Sequence, residues 1–197
     1  MNRKTYFTTI ADIIPADGLQ YVQNAYYIVK DAHRKQSRRL TGERYFEHVR
    51  RVSWSAAVTF GYTDAHTIAL GLLHDVIEDT YIPINLLVNL FGRRMYEDIM
   101  FLSKEVPSFN TITGELIGRA KIGDDNYYST LMAAPLAPRI IKGCDRIDNL
   151  TDLASWEESR QNKYITETNN RIMPIVSLTD ARMAQAIQNC LLSVVGD

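Results

Sequence analysis

The sequence predicts an all-α fold, a single helical bundle, on three observations. Apolar residues recur at helical spacing in one segment after another. Breakers and caps such as Thr41-Gly42, Gly61, Pro83 and Gly92 open or close those segments. No stretch shows a persuasive strand pattern, and no internal repeat or low-complexity run is present. At 197 residues the chain is long enough for one well-cored domain over 1–197, and the length does not require two.

Composition narrows the function classes. With 22 basic and 23 acidic residues, no basic run and no acidic tail, neither duplex nucleic acid nor a membrane surface is indicated as a partner. Cys144 and Cys190 form no CxxC pair and fit reduced thiols better than a disulfide framework. Met1 to Ile10 lacks the apolar core of a signal peptide, and no later stretch is long and apolar enough to span a bilayer. The expectation is a soluble, cytoplasmic protein, for which a homo-oligomer is compatible.

Taken in order, Asp17 can cap a helix carrying Leu19, Val22, Tyr26 and Val29, which runs into Ala32-His33-Arg34-Lys35-Gln36. The cluster Arg34, Lys35, Arg38 and Arg39 follows, either a solvated helix end or a holder of phosphate. The next helix starts near Glu43, turns Phe46, Val49, Val52, Ala56 and Phe60 inward and stops at Gly61. Thr63 or Asp64 caps a central helix whose apolar run is Ala65 to Leu73. Pro83 opens a short helix over 84–91, ended by Gly92, and 95–102 forms another amphipathic segment. From 105 to 126 the pattern weakens at Pro107, Gly114, Gly118 and Gly123, so a loop is expected, with one helix around 113–122. Order returns at Tyr127-Tyr128. Pro138 then begins a helix with Ile140, Ile141, Cys144, Ile147 and Leu150 as its buried stripe, and two last helices cover about 157–173 and 178–193.

The chemistry concentrates in Leu72 to Thr80. On a helical wheel His74, Asp75, Glu78 and Asp79 share one arc, opposite Leu70, Leu73, Val76 and Ile77. Three carboxylates lie there with no Lys or Arg between them, near a helix C-terminus where the macrodipole disfavours anions. Such a face calls for a cation. A lone His48 is more often a packed core residue than a ligand, but His74-Asp75 and the acidic face of the later helix, with Asp145, supply further ligands. His48, His74, Asp75 and Asp145 mix imidazole and carboxylate, a set suited to Mn²⁺, Fe²⁺ or Zn²⁺ rather than Mg²⁺ or Ca²⁺, and the absence of thiolates favours Mn²⁺. A cation there would acidify water, and Glu78 or Asp79, one turn away, could hold or deliver the proton.

These residues carry a resemblance. His48, the His74-Asp75 pair and Asp145 match the H…HD…D pattern of the HD phosphohydrolase superfamily. More narrowly, His33-Arg34-Lys35-Gln36-Ser37-Arg38, Tyr45-Phe46-Glu47-His48, Leu72 to Thr80, Phe91-Gly92 and Ile141 to Leu150 resemble the hydrolase domain of RelA/SpoT homologues in order and spacing over roughly 25–155. The resemblance implies an HD-domain helical bundle that hydrolyses the alarmones (p)ppGpp at the 3′ position, releasing pyrophosphate and GDP or GTP in the stringent response, with Mn²⁺ as cofactor. It is narrowest to the small alarmone hydrolases, and the hydrolase is expected to use the whole length, leaving no room for a synthetase. Carried over, His48, His74, Asp75 and Asp145 would be metal ligands and Glu78 and Asp79 the catalytic carboxylates. Asn149, Arg34, Lys35 and Tyr45 would meet the nucleotide.

Three departures stand out. Gly143-Cys144 replaces the usual Leu-Ala, Asp148 stands where His or Tyr is common, and 103–135 does not follow the pattern beyond Ser103-Lys104. Base preference and phosphate number are therefore open, (p)ppApp included. Tyr127 and Tyr128 are read as core before pocket. Two rivals remain: an HD phosphohydrolase acting on another nucleotide, such as a nucleoside mono- or triphosphate or NADPH, and a non-catalytic helical module that only binds.

Overall fold

A computed structural model describes residues 1–110 and 116–195. The first helix, α1 (Arg3–Ile13), is capped by Asn2, whose side-chain oxygen accepts from the Thr5 N–H at 2.9 Å. Its inward residues Tyr6 and Ile10 are fully buried, so a segment read only for a leader is part of the core. Helix α2 (Ala16–Ala32) starts after Pro15, which places Asp17 inside the first turn; it does not form the expected side-chain cap there.

Helix α3 (Tyr45–Trp54) continues into a π-helical turn, Ser55–Thr59, and the chain reverses at Gly61, whose φ of +77° a residue with a side chain rarely adopts. Asp64 caps α4 (Ala65–Leu73) by accepting from the Thr67 N–H at 2.8 Å. After α5 (Val76–Asp79), α6 (Ile84–Leu102) breaks at Gly92, with φ +82°, where the sequence places the end of a short helix.

The expected loop and helix across 105–126 are corrected in part. Strands β1 (Glu105–Phe109) and β2 (Leu116–Lys121) pair antiparallel, and the part of the expected helix at 113–115 lies outside the described residues. Both strands are edges, where Pro107 is tolerated, and their half-exposed faces give no helical period to read. Helices α7 (Asp124–Ala133) and α8 (Leu136–Thr151) follow, Pro138 lying in the first turn of α8, where a missing N–H costs nothing. Helix α9 (Glu158–Glu167) runs through a second π turn, Thr168–Ile172, into α10 (Met173–Ser177), and α11 (Ala181–Val195) closes the bundle.

At the centre α4 packs against α2, α3 and α8, with Leu70, Leu72 and Leu73 inaccessible to water. Burying each such side chain contributes about 1.5–3 kcal/mol. Gly71 allows α4 to approach α3 closely: a Cβ there would sit 2.7 Å from the Ser53 Cα. Gly143 does the same for α8, since a Cβ would meet the Met183 sulfur at 2.8 Å, and Cys144 beside it is buried in the core. Tyr127 and Tyr128 are also buried. Among the described residues no helix is long and apolar enough to cross a membrane.

Candidate metal centre

The stretch around His74 is not the single helix that the wheel assumes. Helix α4 ends at Leu73, Asp75 takes φ −97° and ψ 0°, and α5 begins at Val76. Neighbouring residues on a continuous helix point about 100° apart and cannot converge. The break brings Asp75 Oδ2 to 3.0 Å from His74 Nε2.

Each imidazole is oriented through its other nitrogen. His74 Nδ1 donates to the Gly71 carbonyl at 2.9 Å, which leaves Nε2 as the lone-pair nitrogen. That Nε2 is buried and has no hydrogen-bond partner. His48, from α3, sets Nδ1 at 2.7 Å from Asp148 Oδ2 and presents Nε2 at 3.4 Å from Asp145 Oδ1 and 3.5 Å from Asp75 Oδ2. Asp145, from α8, takes Lys142 Nζ on Oδ2 at 2.9 Å and the Asn149 amide on Oδ1 at 2.6 Å. Asp75 accepts from the Tyr45 hydroxyl at 2.7 Å.

Donor atoms of His48, His74 and Asp145 all lie within 4.8 Å of one another. Two imidazole nitrogens and a carboxylate oxygen, one nitrogen buried and unpartnered, fit a divalent transition metal. Asp75 stands beside them.

The electrostatics separates the carboxylates. Burial alone would raise Asp145, but Lys142, His48 and His74 hold it well below the usual carboxylate range. Asp75 is likewise held down against burial by His74 and His48. Glu78 and Asp79 move the other way, pushed up by burial and by the charge of Asp75. One pair of carboxylates is thus kept ionised beside the donors, and the other is biased toward carrying a proton.

A cavity of about 240 Å³ opens over the donors, and Glu78 lines it together with His48, Asp75 and Asp145. Glu78 also accepts from the Lys104 backbone N–H at the root of the hairpin. Asp79 lines a neighbouring cavity of about 380 Å³ with Glu78, Lys104 and Lys121. The hairpin grips α5 from outside, Arg119 Nε donating to the Ile77 carbonyl at 3.0 Å. On the opposite side Gln36 donates to the Asp79 carbonyl at 2.5 Å and meets His33 Nδ1 at 2.6 Å, while His33 stacks on Tyr45. The His33…Gln36 spacing thus ties the turn after α2 to α5.

A larger cavity, about 360 Å³, adjoins the first and shares Arg38, Tyr45, Asn149 and Tyr164 with it. Tyr45 and Asn149 therefore border the passage between the two cavities. Arg34 and Lys35 line neither cavity; Arg34 pairs with Asp31 at 3.0 Å on the surface, and Lys35 is exposed. Arg38 and Arg39 line the large cavity instead, beside Trp156 and Arg160. Sequence reasoning missed Trp156, Arg160 and Tyr164. The spacing of four sets Arg160 and Tyr164 on one face of α9, whereas Trp156 precedes that helix in extended backbone, where no helical period marks it. Arg160 lies over the Trp156 ring at 4.1 Å.

Comparison with known proteins meets this geometry. A family model described as the HD domain matches residues 25–172. The chain belongs to the HD-domain family. Among curated HD relatives, it is 31% identical over 159 residues to the guanosine-3′,5′-bis(diphosphate) 3′-pyrophosphohydrolase of Aquifex aeolicus, covering 78% of this chain and 21% of that protein. It is 28% identical over 167 residues to the bifunctional (p)ppGpp synthase/hydrolase SpoT of Escherichia coli K12, covering 81% of this chain and 22% of SpoT. The chain thus spans about a fifth of the length of these relatives. A solved structure described as a metazoan orthologue of SpoT that hydrolyses ppGpp superposes with a TM-score of 0.72, at 20% identity, over 88% of this chain and 94% of that one. The HD fold of the bundle is shared with it.

Proposed function

We propose that this HD protein is a metal-dependent (p)ppGpp 3′-pyrophosphohydrolase, acting as a single hydrolase domain in the cytoplasm and using Mn²⁺. The observation that carries the reading is the meeting of His48, His74 and Asp145 within 4.8 Å, beside a cavity that His48, Asp145 and Glu78 line. Relatives named for this reaction are 28–31% identical over about four fifths of this chain, which supports the reading. His48, His74, Asp75 and Asp145 would hold the ion. When bound, it supplies Lewis acidity, acidifying water and drawing electron density from a phosphoryl oxygen.

The chain's own groups do the rest. In the adjoining cavity the ring of Trp156, with Arg38 and Arg160, suits a nucleoside bearing phosphates. Tyr45 and Asn149, each bonded to one of the ionised aspartates, border the passage between the cavities. Lys142 and Lys104 add positive charge where the 3′-diphosphate would lie. Water attacks the phosphorus attached to O3′, the O3′–P bond breaks, and a proton must reach O3′ as pyrophosphate departs. Glu78, raised by burial, is placed to hold that proton, with Asp79 behind it.

The hairpin that borders Glu78 lies where the resemblance to RelA/SpoT homologues lapses, which favours testing adenine alongside guanine. With Mn²⁺ added, ppGpp and ppApp are compared by ion-exchange analysis of products. The expected products from ppGpp are GDP and pyrophosphate in equal amounts. Orthophosphate release from a nucleoside monophosphate, with neither alarmone cleaved, would contradict the reading.

A further inference from the structure

His48 and His74 face the same point with Nε2, but different partners hold their Nδ1 atoms. For His74 the partner is a backbone carbonyl, that of Gly71 at 2.9 Å. For His48 it is the carboxylate of Asp148 at 2.7 Å. Resting on the metal-centre reading above, we propose that Asp148 is a positioning residue: its carboxylate keeps the His48 proton on Nδ1 and the ring fixed, so that Nε2 is presented to a divalent cation.

The geometry around Asp148 leaves it no other role at the centre. It meets the His48 ring at the edge away from Nε2, so it cannot itself reach an ion held by Nε2. Its oxygens are already engaged: Oδ1 accepts from Arg51 Nε at 2.6 Å, and Oδ2 accepts from Arg51 Nη2 and Arg38 Nη1, each at 3.1 Å. Arg51 is anchored in turn by Glu43 at 2.6 Å. A carboxylate held by two guanidinium groups cannot turn away from the ring.

Asp148 also lies one turn beyond Asp145 on α8. One helix therefore supplies a donor to the centre and the orienting partner of a second donor on α3. Such outer partners fix the tautomer of a ligating histidine and raise its basicity. Asp148 stands where the resemblance leads one to expect His or Tyr, so the device belongs to this chain's own sequence. A purely structural role would be to neutralise Arg38 and Arg51.

The test titrates metal-free full-length protein with Mn²⁺ by calorimetry, as wild type, D148A, D148N and R51M. D148A is expected to bind Mn²⁺ about 10–100-fold more weakly, D148N more weakly by a smaller factor, and R51M, which keeps the His48 contact and the Arg38 pair that still holds Asp148, within about threefold of wild type. In the Zn²⁺-loaded protein, ¹⁵N-edited NMR should show a downfield, slowly exchanging His48 Nδ1–H in wild type and R51M, and lose it in D148A.

Wild-type Mn²⁺ affinity in folded D148A or D148N, or an Nδ1–H resonance unmoved by D148A, would overturn the assignment. If D148A does not fold, D148N decides, since it keeps the side-chain volume. Absence of Mn²⁺ binding by the wild type would overturn both this proposal and the metal-centre reading, whereas binding lost in D145A and kept in the Asp148 variants would overturn this one alone.

Discussion

Whether a carboxylate in this site carries a proton depends on which neighbour it meets. Asp145 faces Lys142 and two imidazoles and stays ionised, while Glu78 meets burial and the charge of Asp75 and is pushed up. The E78Q and D79N variants should therefore bind Mn²⁺ as the wild type does and lose activity by about 10²–10⁴-fold, more for Glu78, which lines the donor cavity. Steady-state turnover with a parallel metal titration checks this; full turnover in the double variant would contradict it. Glu167, on the wall of the same cavity, offers a test through stability rather than turnover. Burial alone would raise it, but the Tyr128 hydroxyl and Arg146 guanidinium hold its folded value at about 2. A depressed carboxylate adds stability that is present above its unfolded value, near 4.5, and is lost as pH falls toward 2. In denaturant unfolding as a function of pH, E167Q should flatten the wild-type decline across that window and lie below wild type at neutral pH. His48, His74 and Asp145, which meet within 4.8 Å of one another, were legible as candidate donors because imidazoles and a carboxylate are chemically unusual at such positions. Asp148 was noticed only as a departure, because no pattern along the chain shows that it meets a histidine a hundred residues away.

Helices with an apolar stripe were legible from period alone, and α2, α3, α4, α6 and α8 lie close to where the sequence places them. Three things were not. The break at Asp75 is a single backbone rotation with no compositional mark, although it turns His74 and Asp75 toward one point. The hairpin is edge on both sides and half exposed, so its residues carry neither a strand alternation nor a helical period. Helix α1 was not anticipated, because Met1 to Ile10 was weighed only for a signal peptide and its inward stripe is just Tyr6 and Ile10. The crossing of α3 and α4 can be tested directly. A methyl group on Gly71 would be forced against the Ser53 backbone, so G71A should destabilise the fold by about 1–3 kcal/mol in denaturant unfolding. Because that crossing sets His74 against His48, the same variant should weaken Mn²⁺ binding, whereas a surface Gly118→Ala, which meets nothing within 4 Å, should do neither.

Across the molecule, three segments distant in the chain deliver one donor each to a point beside the smaller of two adjoining cavities, and the bundle's core lies behind them. Helix α3 gives His48, the end of α4 gives His74 and α8 gives Asp145, while α4 packs against both partners. Resemblance pointed to the candidate donors and left the cavity walls obscure, since Trp156, just before α9, and Arg160 and Tyr164 on it lie beyond the matching motifs. Metal analysis of the purified, Mn²⁺-loaded protein after desalting, with wild type beside Asp145→Ala, tests the convergence most directly. One ion per chain is expected in the wild type and none in the variant, with helical circular dichroism unchanged, because Asp145 faces the cavity and not the apolar stripe of α8. Equal metal in both proteins would contradict the account.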